Sequence, residues 1–335
     1  MKQTQEMEFS LVSKQSVEFF ANMLGEIDGD TYALLRAATI PSDIHTDTDY
    51  EYLPESTLKN FFEVLAQHMN EERAGWLFLR TCREHYAPEL IAAMSKQPTL
   101  KGTLEAFANQ LQTRSTGAKV YLQHSANSWW LVRDKAGVNE PWFKYAEMFS
   151  VICMAEVLRA LTNDQWTPAR IGIQSQNRDD FSRLPSLEHA QFYVERPVTA
   201  LEIPVSLLDF PVHVSSPRRS ATLTVTESLS FKEQFTLAIT PYLSMGKLPI
   251  KLAAEILRLN VRTLQRRLSA ENIIYKPFIE QLVFDEVKRR LCETDESIIQ
   301  LANRYGYSDS AHFTRSFKRV AGVTPSAYRK LSRSH

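Results

Sequence analysis

Two short stretches near the end of the chain carry the side chains best suited to chemistry. In "VRTLQRRL", Arg262, Thr263, Gln265 and Arg266 can share one helical face, leaving Val261, Leu264 and Leu268 for the other. In "SAHFTRSFKRV", Ser310, Ala311, Thr314, Arg315, Lys318 and Arg319 are left outward once Phe313, Phe317 and Val320 turn inward. Arg offers a planar fork of donors that matches paired acceptors such as guanine O6 and N7. Gln matches the donor–acceptor pair of adenine, and small residues such as Ala311 and Thr314 suit a thymine methyl. Lys318 and Arg319, at the margin, suit phosphates. The chemistry is recognition of double-stranded DNA along a major-groove edge. It involves no bond making, no metal and no cofactor.

Such side chains need a helix that stands clear of its support. Before the first stretch, Ile250, Ala253, Ala254 and Leu257 form the inner face of a supporting helix, and Asn260 is placed to cap the next one. Before the second, Ile298, Leu301, Ala302 and Tyr305 repeat the plan. Gly306 permits the turn, Tyr307 plugs the gap, and Ser308 is the expected cap. His312 is expected to pack on its own helix with a polar tip. "YKPFIEQLVFDEVKRRLCETD" (275–295) joins the two as one long helix starting near Pro277. A stiff rod of that kind would set the recognition helices about one DNA turn, ~34 Å, apart. The aromatics of "YGYSDSAHFTRSFKR" are therefore core, and its cations line a presented face.

Charge supports the same partner. Residues 231–335 carry 18 Lys plus Arg against 10 Asp plus Glu, a net of +8. The remaining 21 and 29 leave residues 1–230 at −8, so the zero net charge of the chain conceals a division. The 335 residues suffice for two domains. Cys82, Cys153 and Cys292 lie far apart, which speaks against a disulfide framework or a structural zinc. The start of the chain lacks a secretion pattern. The run Met148–Leu161 contains Glu156 and Arg159, so it reads as a buried helix and not a membrane span. A cytoplasmic protein is expected. No Gly-rich phosphate loop, HExxH or GxSxG occurs, so no enzyme is expected.

The first two hundred residues mix periods. Helical spacing marks Ser16–Leu24, Thr57–Met69, Thr103–Leu111 (with Thr103 as cap) and Tyr145–Leu161. Strand patterns mark 118–124, Ser128–Asp134, Ala169–Ser175 and Ala190–Pro204, the first two as a hairpin. The resulting fold class is an α+β N-terminal domain (1–208), a Pro/Ser/Thr-rich linker (209–229), and an all-α C-terminal domain (230–335). The last contains two helix-turn-helix units joined by a long helix. In the first domain Trp129, Trp130, Trp142 and Phe143 could wall a pocket, with Arg133, His124 and Arg170 to hold a carboxylate. Alternation sends Trp129 and Trp130 to opposite faces, so a single cavity uses only one of them. The bland alternative makes these aromatics core and Arg133 a strand-end surface residue.

From about Phe231 to Lys330 the sequence resembles the AraC/XylS family of bacterial transcription regulators. The segments that carry the resemblance are "SIIQLANRYGYSDSAHFTRSFKRVAGVTPSAYR" and "RTLQRRLSAENI". "GVTPSAYR" is similar to the family's closing loop and helix, with Pro325 and Tyr328 packing back. The resemblance implies base reading by Arg262, Gln265 and Arg266, and by Ser310, Ala311, Thr314 and Arg315. "SWWLVRD", "ARIGIQSQ" and "ERPVTALEIPVSLLDFPV" resemble the effector-sensing, arabinose-binding-like domain of one subgroup. That implies a small-molecule effector, a homodimer, and RNA polymerase as a further partner, with no membrane involved. The chain departs from the family at Arg258, where a Gly is usual, at Asn260 (Ser) and at Val283 (often Arg). Arg258 and Val283 motivate a second reading, a protein-interaction adaptor with residual DNA binding.

Overall fold

The computed structural model describes residues 9–212 and 229–333, apart from 28, 47, 49, 95, 96, 115, 116, 118 and 126. Residues 213–228, most of the expected linker, lie outside the described residues. The chain forms two compact bodies, and the grouping follows contact rather than chain order. One body holds residues 229–333 together with 9–14 and 43–56; the other holds 15–42 and 57–212.

The two N-terminal segments of the first body meet as antiparallel strands, β1 (Leu11–Ser13) and β2 (Tyr52–Pro54), with Val12 opposite Leu53. All six of their residues are buried, so the pair works as a core element and not as an edge.

The second body is α+β. Its helices are α1 (Lys14–Met23), α2 (Thr31–Ala37), α3 (Ser56–His68), α4 (Glu71–Thr81), α5 (Ala87–Ala92), α6 (Leu100–Arg114), α7 (Phe143–Leu161) and the single turn α8 (Asp179–Ser182). A π-helical turn, Cys82–Tyr86, joins α4 to α5. Strands β3 (Lys119–Ser125), β4 (Ser128–Asp134), β5 (Arg170–Gly172), β6 (Gln191–Tyr193) and β7 (Thr199–Ile203) form one sheet in the order β3-β4-β7-β5-β6. The expected hairpin is present, with Val120 opposite Arg133. The expected strand over 190–204 is two strands, because Pro197 lies between them and the chain turns at Glu195 with φ 52°. Thr103 is not a cap. It lies inside α6 and donates to the Thr99 carbonyl, while the Thr99 hydroxyl accepts from the Gly102 N–H. Phe20, Phe61, Phe62, Phe78 and Phe149 interlock at ring separations of 4.8–6.3 Å. Helix α7 is buried almost throughout, as its apolar run requires. Its fully buried Glu147 is satisfied by the N–H groups of Gln174 and Ser175 and by the Thr199 hydroxyl.

The first body is completed by α9 (Phe231–Ile239), α10 (Ile250–Ile256), α11 (Val261–Ala270), α12 (Tyr275–Glu293), α13 (Ile298–Arg304), α14 (Ser310–Ala321) and α15 (Pro325–Ser332). A capping box of Ser230 and Glu233 starts α9, and Pro241 turns its end into a 3₁₀ segment that stops at Gly246. Helix α9 packs on β2, with the Phe9 ring edge-on to Phe231 at 6.0 Å. At 1.5 Å per residue the 19-residue α12 is about 28 Å long.

Candidate nucleic-acid interface

Two helix-turn-helix pairs, α10–α11 and α13–α14, are joined by α12, on which α14 packs. In the first, the Asn260 carbonyl oxygen of the side chain accepts from the Thr263 N–H at 2.7 Å, so the expected cap is in place. Leu264 and Leu268 are buried beneath α11. Arg262, Gln265 and Arg266 are exposed and Thr263 is half-buried. Arg267 is half-buried, its Nε lying out of contact with solvent. The turn between the helices is made by Arg258 at φ 52°, a left-handed conformation in which the family's usual Gly would carry no Cβ penalty.

In the second pair the cap is Asp309 and not Ser308. The Asp309 carboxylate accepts from the His312 N–H at 2.6 Å, which starts α14 at Ser310. An Asp is as good a cap as a Ser, and here the register of Phe313 against the core selects it. Phe313, Ser316 and Phe317 are buried. Ser310, Ala311, Arg315, Lys318 and Arg319 are exposed, and Thr314 is half-buried. His312 is exposed, with its ring edge-on to Tyr307 at 5.4 Å, and Tyr307 fills the gap against Phe284 and Phe313. Arg319 is not a free phosphate ligand, because its guanidinium pairs with Glu280 of α12. Gly306, at φ 75°, is required twice over: a Cβ there would lie 2.5 Å from the Lys247 backbone nitrogen. Val283 is buried in α12, so the family's frequent Arg is replaced by a core residue.

The second pair is tied down by charge. Glu296 pairs with Arg304 at 2.6 Å and Arg290 at 3.0 Å. Burial pushes the Glu296 carboxyl up, but the two guanidiniums prevail and hold it below the usual range. Arg329 donates to the Glu296 and Leu291 carbonyls, and the Tyr328 ring packs on Phe317, so α15 closes the body as expected. The first pair leans on distant chain: the Ser56 hydroxyl donates to the Ile256 carbonyl, one of the orphan acceptors at the end of α10.

In the other body the residues singled out for ligand contact do not converge. Trp129 stacks near His124 and carries Lys101 at 4.7 Å, whereas Trp130 lies under Arg170 at 5.6 Å. Arg170 already binds Glu202 and Ser128, and its guanidinium holds the Glu202 carboxyl below the usual range. Arg133 is buried rather than at the surface. Trp142 is buried, flanked by Lys59 and Lys135. A cleft of about 470 Å³ lies elsewhere, lined among others by Glu18, Phe19, Asn22, Leu77, Arg80 and Glu84. No local sequence signal could have found it, since α1, α4 and the π-helical turn are brought together there only by folding.

Comparison with known proteins places these observations. A helix-turn-helix domain model matches residues 253–331, and a model of the arabinose-binding N-terminal domain of AraC transcription regulators matches residues 29–212. The HTH-type transcriptional regulator VirS of Mycobacterium tuberculosis is 24% identical, over 96% of each chain. The ornithine utilization regulator of Pseudomonas aeruginosa is 29% identical over 41% of this chain and 42% of its own. RafR, the raffinose operon transcriptional regulatory protein of Pediococcus pentosaceus, is 40% identical over 16% of this chain and 19% of its own. The chain thus spans less than half the length of these last two relatives. The crystal structure of transcriptional regulator CdpR from Pseudomonas aeruginosa aligns over 93% of this chain and 98% of that one, at 17% identity and a TM-score of 0.38. The matched families are regulators and not enzymes.

Proposed function

We infer the following from one premise: the chain belongs to the AraC family of transcription regulators, DNA-binding proteins with an arabinose-binding-like N-terminal domain. It reads a promoter through Arg262, Thr263, Gln265 and Arg266 on α11 and through Ser310, Ala311, Thr314 and Arg315 on α14. Lys318 holds a phosphate at the margin. The observation that carries this reading is the pair of exposed polar faces on α11 and α14, in two helix-turn-helix pairs joined through the 19-residue α12. A small-molecule effector controls the outcome by binding one state of the protein better than another, the only way a ligand can shift an equilibrium. We place its contacts in the cleft beside Phe19 and Arg80 and not on Trp129, Trp130, Arg133 and Trp142, which do not converge on one cavity. Action at a promoter makes RNA polymerase a partner, and a homodimer would double the contacts.

Selection of duplexes from a random pool by the full chain tests the reading. One recurrent motif is expected, and Arg315→Ala should relax it at one position at a cost of about 1–3 kcal/mol. Recovery of no motif would favour the adaptor alternative. A uniform loss over all sequences would make Arg315 a phosphate contact instead.

A further inference from the structure

A groove of about 810 Å³ runs between the two helix-turn-helix pairs. Its floor is apolar, made by Leu248, Pro249, Ile279 and Val283, and its rim carries Lys247, Lys276 and Arg319. Among the described residues Glu280 is the only carboxylate in its lining, and it is already neutralised by Arg319. Lys247 and Lys276 are exposed. The Tyr275 hydroxyl donates to the Leu248 carbonyl at 2.8 Å, and Gly306 sits against Gly246 and Lys247, so both walls are fixed. The groove also borders the face that presents Arg315. His312, Ser316 and Arg319 form one row of α14 at i, i+4 and i+7, and Ala311, Arg315 and Lys318 form the next row.

We infer that this groove seats the DNA sugar–phosphate backbone lying between the two major-groove segments, with Lys247 and Lys276 as its phosphate ligands. The inference rests on the regulator reading above and adds a third, sequence-independent contact to it. Where one protein face meets two successive major-groove segments, the intervening backbone must cross the space between the reading helices. Three features of the groove fit that occupant. Lysines are flexible point charges suited to phosphate and not to the forked edge of a base. The apolar floor suits deoxyribose. The first turn of α12 has no side-chain cap at Ile274, so the positive end of a long helix supplements the lysines.

Binding of the full chain to a mixed-sequence duplex and to a selected one, followed by fluorescence anisotropy over a salt series, tests this. Each of Lys247→Gln and Lys276→Gln should weaken binding severalfold and equally on both duplexes. Each should also reduce the magnitude of the log K versus log salt slope by about 0.9, and the double variant by about twice that. Thermal unfolding of the same variants should match the parent, since both side chains are exposed. Suppose Arg315→Ala weakens binding to the selected duplex while both lysine variants keep the parent's affinity and slope. The groove then belongs to another anionic occupant, a small organic acid or an acidic protein segment, and this inference is overturned with the regulator reading intact. A parent chain with no salt-dependent DNA affinity would overturn both together.

Discussion

The two helix-turn-helix pairs share a plan and differ in what holds them. The second is assembled from neighbouring sequence: Glu296, Arg290, Arg304 and Arg329 form one polar clamp, and Phe284, Phe313, Phe317 and Tyr328 one aromatic core. The first borrows from a residue 200 positions away, with Ser56 finishing α10, and β2 backs the preceding α9. Their turns differ in the same sense. Gly306 is hemmed in by Gly246 and Lys247, whereas Arg258 stands exposed in a left-handed conformation. The lesson is that the pair with the plainer sequence signature draws its polar clamp and aromatic core from nearby sequence. The pair that departs from the family pattern is the one whose stability depends on the rest of the chain.

The largest effect expected from this contrast is at the turns. Gly306→Ala places a Cβ against backbone and makes a left-handed conformation costly, so it should destabilise the first body by about 3 kcal/mol. Arg258→Ala, already a non-glycine in that conformation, should change stability by less than about 0.5 kcal/mol. Urea unfolding of the full chain measures both. Equal losses at the two turns would erase the distinction drawn between them.

A smaller effect separates borrowed from local support. Ser56→Ala leaves the buried Ile256 carbonyl without its donor and should cost about 1–2 kcal/mol. The loss should be local, so hydrogen exchange should quicken in α10 and α11 and stay unchanged in α13 and α14. Faster exchange in both pairs alike would mean that the two unfold as one and that the borrowed support is shared.

What sequence disclosed, and what it did not, divides along the same line. Period 3.6 placed Leu264, Leu268, Phe313 and Phe317 inward and the polar faces outward, because each recognition helix needs only its own spacing. Asn260 was legible as a cap since nothing nearby competes with it. Asp309 caps in place of the expected Ser308, and Thr99 in place of Thr103, because a cap is selected by register that only packing sets. The Arg170–Glu202 pair needed the β4–β7–β5 register, and β1–β2 needed contact between segments some 40 residues apart. Neither leaves a local pattern. The site residues on α11 and α14 were thus readable, while the cleft and the groove, each assembled from several elements, were not.

A gain smaller than either of these losses is also the sharpest test, because its sign is opposite to theirs. At Arg258 the backbone N–H donates to the Glu255 carbonyl, and Leu259 closes back on Ala254, so the turn is a helix C-terminus of the kind that favours glycine. Arg258→Gly removes a left-handed penalty of about 1–2 kcal/mol and adds about 0.5–1 kcal/mol of backbone entropy to the unfolded chain. The balance is a gain of roughly 0.5–1 kcal/mol, read as a higher urea midpoint at unchanged slope. Stabilisation with unaltered DNA affinity would mean that Arg258 is a tolerated departure with no part in recognition. Stabilisation with weaker, less salt-dependent DNA binding would make its exposed guanidinium a phosphate contact that the chain retains at the expense of its own first turn. A loss of stability would contradict the strain argument, since it requires the Arg258 side chain to hold the turn more strongly than its backbone opposes it.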